Sequence, residues 1–97
     1  MEAKLNIYAN CESEEPIKTY VCRRLLLNTS KEVAALAEKL QGKSLKEQEE
    51  ITINIIKTIF PDFKDEEYNY IDPVEWIKFI NDINSETAQI QAAAKKN

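Results

Sequence analysis

A single glycine, Gly42, in a chain of 97 residues is the strongest constraint on what this sequence can fold into. Tight turns between strands lean on glycine because it adopts positive φ without steric cost. A barrel or sandwich of many short strands would need several such turns. The sequence therefore predicts a mainly α fold. Hydrophobic residues are 43% of the chain and charged residues 31%, a balance that builds a core rather than a disordered coil. The length suits one domain. The expected architecture is a small three- to four-helix domain over residues 1–84, with room for a short N-terminal β-hairpin. Residues 85–97 are expected to form a flexible or frayed helical tail.

Charge is unevenly distributed. Residues 1–27 carry four acids and four bases, residues 28–60 carry five of each, and residues 61–97 carry eight acids against four bases. The whole net charge of −4 thus lies in the last third. An acidic surface repels phosphate, so no nucleic-acid partner is expected. The simplest role of these acids is a solvated face that maintains solubility. Met1 to Ala9 does not read as a signal peptide. No apolar run approaches the roughly 20 residues needed to span a bilayer, so no membrane partner is expected either. The expected compartment is the cytoplasm, where Cys11 and Cys22 would be reduced thiols.

Local patterns place the elements. Leu5 and Ile7 alternate with Asn6, a short strand signal. Asn10 to Pro16 is polar and reads as a loop. From Ile17 the chain alternates again, with Ile17, Thr19 and Val21 opposite Lys18, Tyr20 and Cys22. A hairpin over residues 4–22 and a helix begun near Thr19 are both compatible with this stretch. Thr29-Ser30-Lys31-Glu32 has capping-box spacing and predicts a first helix from Thr29, carrying Val33, Leu36, Ala37 and Leu40, with Gly42 beyond it as a left-handed C-terminal residue. Ser44-Leu45-Lys46-Glu47 is a second capping box and opens a helix that Pro61 ends after Phe60. Residues 61–71 have no clean period and read as a loop with a single helical turn. Asp72-Pro73-Val74-Glu75 opens a third helix, with Asp at the cap and Pro at the first helical position. It is expected to run to about Ile83.

On a wheel of 100° per residue, the second and third helices are unusually broad. Leu45, Ile51, Ile53, Ile55, Ile56, Ile59 and Phe60 spread over roughly 200°, and Val74, Trp76, Ile77, Phe79, Ile80 and Ile83 over roughly 220°. A helix lying on a core needs about 100° or somewhat more. One helix could be central and wrapped by the rest. Two such helices in so small a domain predict an apolar groove, and such a surface marks a protein interface. Self-association would bury the excess equally well. The expected groove residues are Ile55, Ile59, Phe60, Phe63, Trp76, Phe79 and Ile80.

Catalytic readings find little support. The chain contains no histidine, which excludes a Cys/His zinc site and a histidine-based triad. With one glycine there is no phosphate-cradling loop. Asp62, Asp65 and Glu67 lack the glycine and the twelfth-position ligand of a calcium loop. Glu49-Glu50 and Asp65-Glu66-Glu67 are adjacent carboxylates without a defined cleft. Ser30, Ser44 and Ser85 read as caps or tail residues. No enzyme activity, metal or cofactor is expected.

The order of elements resembles a known family. A strand-like start leads into Pro16-Ile17-Lys18-Thr19-Tyr20-Val21-Cys22-Arg23-Arg24. An Ile-rich helix then ends in Phe60, with Phe63 three residues on. Acidic Asp65-Glu66-Glu67 follows, and then an aromatic helix, Glu75-Trp76-Ile77-Lys78-Phe79-Ile80. Over residues 4–83 this is similar to the tail assembly chaperones of long-tailed phages that infect Gram-positive bacteria. It departs from them in lacking glycine in the acidic stretch, where Tyr68-Asn69-Tyr70 stands. The resemblance implies a protein that coats the hydrophobic, helical tape measure protein in the host cytoplasm and is absent from the mature virion. It also implies self-association, and a longer form made by translational frameshifting, for which the Lys95-Lys96-Asn97 end could be encoded by a slippery A-rich run. The alternatives are a small phage-encoded inhibitor or adaptor that binds a host protein, and a structural subunit of a virion.

Overall fold

The computed structural model describes the backbone of residues 2–95 and the side chains of residues 2–90. Two strands, β1 (Ala3–Ile7) and β2 (Lys18–Cys22), are followed by helices α1 (Leu27–Glu38) and α2 (Leu45–Ile59), a 3-10 helix (Asp65–Tyr70) and α3 (Pro73–Lys95). The fold is mainly helical with a short antiparallel N-terminal hairpin, as the sequence predicts.

The hairpin register pairs Ala3 with Cys22, Leu5 with Tyr20 and Ile7 with Lys18. Directly paired residues share a face, so Tyr20 and Cys22 join Ala3, Leu5 and Ile7 in the core. The alternation of β2 does not by itself say which side faces inward. Ile17 is 70% exposed and Val21 half-buried. Strand register sets the inward face, and register is fixed by the partner strand rather than by local pattern.

Helix α1 begins two residues before the predicted Thr29. Leu26 is its N-cap and has no side-chain cap. The expected Thr29–Glu32 box does not form. Asn28 Oδ1 accepts from the Thr29 amide at 2.8 Å, and the Ser30 amide already donates to the Leu26 carbonyl. Buried Leu25 and buried Ser30 anchor the start of the helix against the core, and that tertiary anchor replaces a cap. Gly42 has φ 74°, the predicted left-handed conformation, and lies beyond the end of α1 at Glu38.

Helix α2 is capped as expected. Ser44 Oγ accepts from the Glu47 amide at 3.3 Å and donates to Glu47 Oε1 at 3.0 Å. The helix ends at Phe60, whose backbone is extended, as a residue before proline prefers. At the start of α3, Asp72 Oδ1 accepts from the Val74 amide at 2.8 Å. The helix does not stop near Ile83: it continues to Lys95. Ala and Gln propagate a helix well, and Ile90 returns to the core-facing side and packs on the core cluster. Asn97 and Lys96 of the expected tail lie outside the described residues. No helix is long and apolar enough to cross a membrane, among the described residues.

Candidate functional site

The structure brings four of the seven expected groove residues into one aromatic row. Phe63 packs on Tyr20 with ring centroids 5.6 Å apart, Tyr20 on Phe60 at 5.2 Å, Phe60 on Phe79 at 5.8 Å and Phe79 on Trp76 at 5.8 Å. These separations suit offset or tilted ring packing, worth about 0.5–1.5 kcal/mol per pair beyond area burial. Tyr20 is the member that the sequence reading did not single out. The row joins β2, the end of α2, the loop after it and α3.

The row is core, however, and not an open groove. Phe60, Phe63 and Phe79 are at most 8% exposed, and Ile55 is 3% exposed. These four are packed inside the domain, so among the expected groove residues they are the ones that serve as core. Ile59, Trp76 and Ile80 are half-buried. On α2, Ile55 and Ile56 are buried and Ile51, Ile53 and Ile59 are half-buried around them. Helix α2 packs mainly against α1.

The row is closed over by the acidic segment that follows it, through one carboxylate. Glu67 Oε1 accepts from Tyr20 Oη at 2.6 Å and from the Lys64 amide at 2.9 Å, while Lys18 Nζ stands 3.7 Å from Oε2. Burial alone would raise the Glu67 carboxyl. The hydrogen bonds from Tyr20 and Lys64 and the charges of Lys18 and Lys64 outweigh burial and hold it below the usual carboxylate value. Burial, and then acceptance by Glu67, push the Tyr20 phenol up. A second tie fixes α3 to the hairpin: Glu75 accepts from Tyr8 Oη at 2.8 Å and from Asn6 Nδ2 at 3.2 Å. These carboxylates are spent on holding elements together.

The surplus apolar surface lies elsewhere, on the outer side of α3. Phe79 and Ile83 are 1% and 0% exposed and mark its inner face, whereas Val74 is 74% and Ile77 57% exposed. On the wheel, Ile77 stands roughly 140° or more from the direction that Phe79 and Ile83 share, counted at 100° per residue. Half-buried Ile80 adjoins it one turn on. Both Val74 and Ile77 belong to the broad arc the sequence showed, on the edge that was not chosen. Leu26 and Leu27 are exposed at the start of α1 and Leu45 at the start of α2.

Other chemistry is sparse. An open concavity of about 880 Å³ lies between the hairpin turn and the start of α3. It is lined by Tyr8, Cys11, Tyr70, Ile71 and Asp72 among others and holds none of the seven expected residues. Cys11 is an exposed free thiol and Cys22 a buried one, the latter pushed up chiefly by burial. Among the described residues no group of three or more His, Cys, Asp or Glu side chains could hold a metal ion. Comparison with known proteins finds no matching family model, curated protein or solved structure.

Proposed function

We propose that this protein is a binding protein for an apolar helical partner, and that it acts as a tail assembly chaperone for a phage tape measure protein. The observation that carries the reading is the outward pair Val74 and Ile77 on a helix whose inner face is already filled by Phe79 and Ile83. Water contact with such a row is unfavourable at about 25 cal/mol per Å² of apolar area. A partner helix laid along α3 would relieve it, since helix-on-helix recognition reads apolar anchors at three- and four-residue spacing.

The charge distribution supports the same reading. The eight acids of residues 61–97 keep the chain soluble while it carries an apolar client. A client recognised mainly by apolar contacts can be held in several registers. The order of elements, similar to that of the tail assembly chaperones, supports a tape measure protein as the client. Co-expression tests the reading: a tape measure fragment is expected to be soluble with this protein and to aggregate without it. Equal solubility in both cases would refute it.

A further inference from the structure

The hairpin has one unfinished side. The Ile17 amide donates to the Ile7 carbonyl at 2.8 Å, and the Tyr8 amide turns the other way, to the Tyr70 carbonyl at 3.0 Å. Backbone groups of successive residues in an antiparallel strand alternate in direction. Ala3, Leu5 and Ile7 therefore bond across the hairpin, and their register partners are Cys22, Tyr20 and Lys18. The amides and carbonyls of Thr19 and Val21 point the opposite way, to the outer edge of β2. Among the described residues no backbone group reaches them there. By contrast, α3 and the 3-10 helix pack against β1.

An open strand edge is a template for any extended chain, and its surroundings select the chain. Residues 16–31 hold four bases, Lys18, Arg23, Arg24 and Lys31, and no acid, in a protein of net charge −4. Glu67 stands 3.7 Å from Lys18, and Glu2 3.9 Å from Arg23, whose side chain is 77% exposed. Arg24 and Lys31 are exposed and make no ion pair among the described residues. Apolar side chains stand on either side of the strand in the chain: exposed Ile17 before it and exposed Leu26 after it. We propose that the outer edge of β2 takes up an extended, acidic segment of a partner protein as a third strand.

Each part of the edge has a task in this pairing. Thr19 and Val21 supply two amides and two carbonyls, and main-chain bonds of this kind give a strand-addition site its affinity. The basic stretch attracts carboxylates and disfavours basic segments. At about 3.3 Å per residue, the five residues of β2 match a partner segment about 17 Å long. A helical partner does not fit, because its own backbone groups are bonded internally. An anionic lipid surface would attract the same arginines. Its hydrocarbon would leave the strand edge unpaired, at a cost of several kcal/mol per group.

The site is separate from the outer side of α3 and does not rest on the client reading. A helix suits the outer side of α3, and only an extended chain suits the edge of β2. The two surfaces give the protein two partners of different conformation and charge.

Amide hydrogen exchange of the full chain, read by NMR, tests the proposal. The probe is a capped peptide of alternating valine and threonine with glutamates at both ends, and its control carries lysines in place of the glutamates. In the free protein the Thr19 and Val21 amides should exchange fast while those of Tyr20 and Cys22 are protected. At about 1 mM the acidic peptide should slow Thr19 and Val21 at least about tenfold, and the lysine peptide should leave them fast. Val21→Pro removes an outward amide that the hairpin does not use, and proline suits such an edge. It should weaken peptide binding at least about tenfold while Tyr20 and Cys22 stay protected. Arg23→Glu with Arg24→Glu, on exposed side chains, should weaken it as much with the melt changed little. Thr19 and Val21 amides already protected in the free chain, slowed by both peptides alike or by neither, or an affinity unchanged by the arginine substitutions would each overturn the proposal. Protection that grows with protein concentration alone would place a second copy on the edge instead. Anionic lipid vesicles that slow these amides where the acidic peptide does not would place a membrane there. Either result would also overturn it, and neither bears on the outer side of α3.

Discussion

Tyr20 Oη donates to Glu67 Oε1 at 2.6 Å, and this bond fastens the acidic 3-10 helix over the aromatic row. No residue of that 3-10 helix is buried, so the segment has no core of its own and depends on its ties. Tyr20→Phe keeps the ring stacking with Phe60 and Phe63 and removes only the hydroxyl. A bond to an ionised acceptor of this kind contributes about 1.5–3 kcal/mol. Urea unfolding should show that loss with an unchanged slope.

The same carboxylate gives a dependence on pH. The folded-state value for Glu67 lies below the ordinary one, so its contribution is fully present above the ordinary value of about 4.3. It is lost as pH falls through the depressed folded value, because the unfolded chain then binds the proton first. The stability gap between the native sequence and Glu67→Gln should be widest near neutral pH and should narrow on acidification. Chemical denaturation at a series of pH values measures it.

Two local signals carry stability that can be read one residue at a time. Ser44→Ala removes the acceptor for the Glu47 amide and should cost about 1 kcal/mol, a fall in Tm of about 4–8 °C for a domain this small. Gly42→Ala should cost about 1 kcal/mol, because alanine is strained at φ 74°. An added Cβ there meets nothing within 4 Å, so the cost is that of the backbone alone. Thermal melts check both.

The inner and outer sides of α3 should respond in opposite ways. Phe79→Ala opens a cavity in the aromatic row and should cost about 3–5 kcal/mol, enough to threaten folding. Val74→Ser and Ile77→Ser touch no core and should change stability by about 0.5 kcal/mol or less. Paired denaturation curves distinguish the two sides.

The α2 boundaries were legible because their causes are local: Ser44 and Glu47 sit three residues apart, and Pro61 follows the last turn. The start of α1 was not, since buried Leu25 and Ser30 set it through contacts distant in sequence. The inward face of β2 is not legible for the same reason, its partner strand lying about fifteen residues away. For α3 the wheel showed that the apolar arc was too broad for one core. Breadth does not say which edge faces outward. The aromatic edge was chosen, and packing placed Phe79 inside with Phe60 and left Val74 and Ile77 outside. Tyr20 was missed because a lone aromatic in a strand of ambiguous face gives no local sign that a carboxylate 47 residues on will bond it.

The central claim is that the outer row of α3 holds an apolar helix. The direct measurement is co-expression of a tape measure fragment with the native chain and with a Val74→Asp, Ile77→Asp variant whose melt matches the native one. The fragment should be soluble and co-purify with the native chain and should pellet with the variant. A fragment held equally well by both proteins would contradict the account.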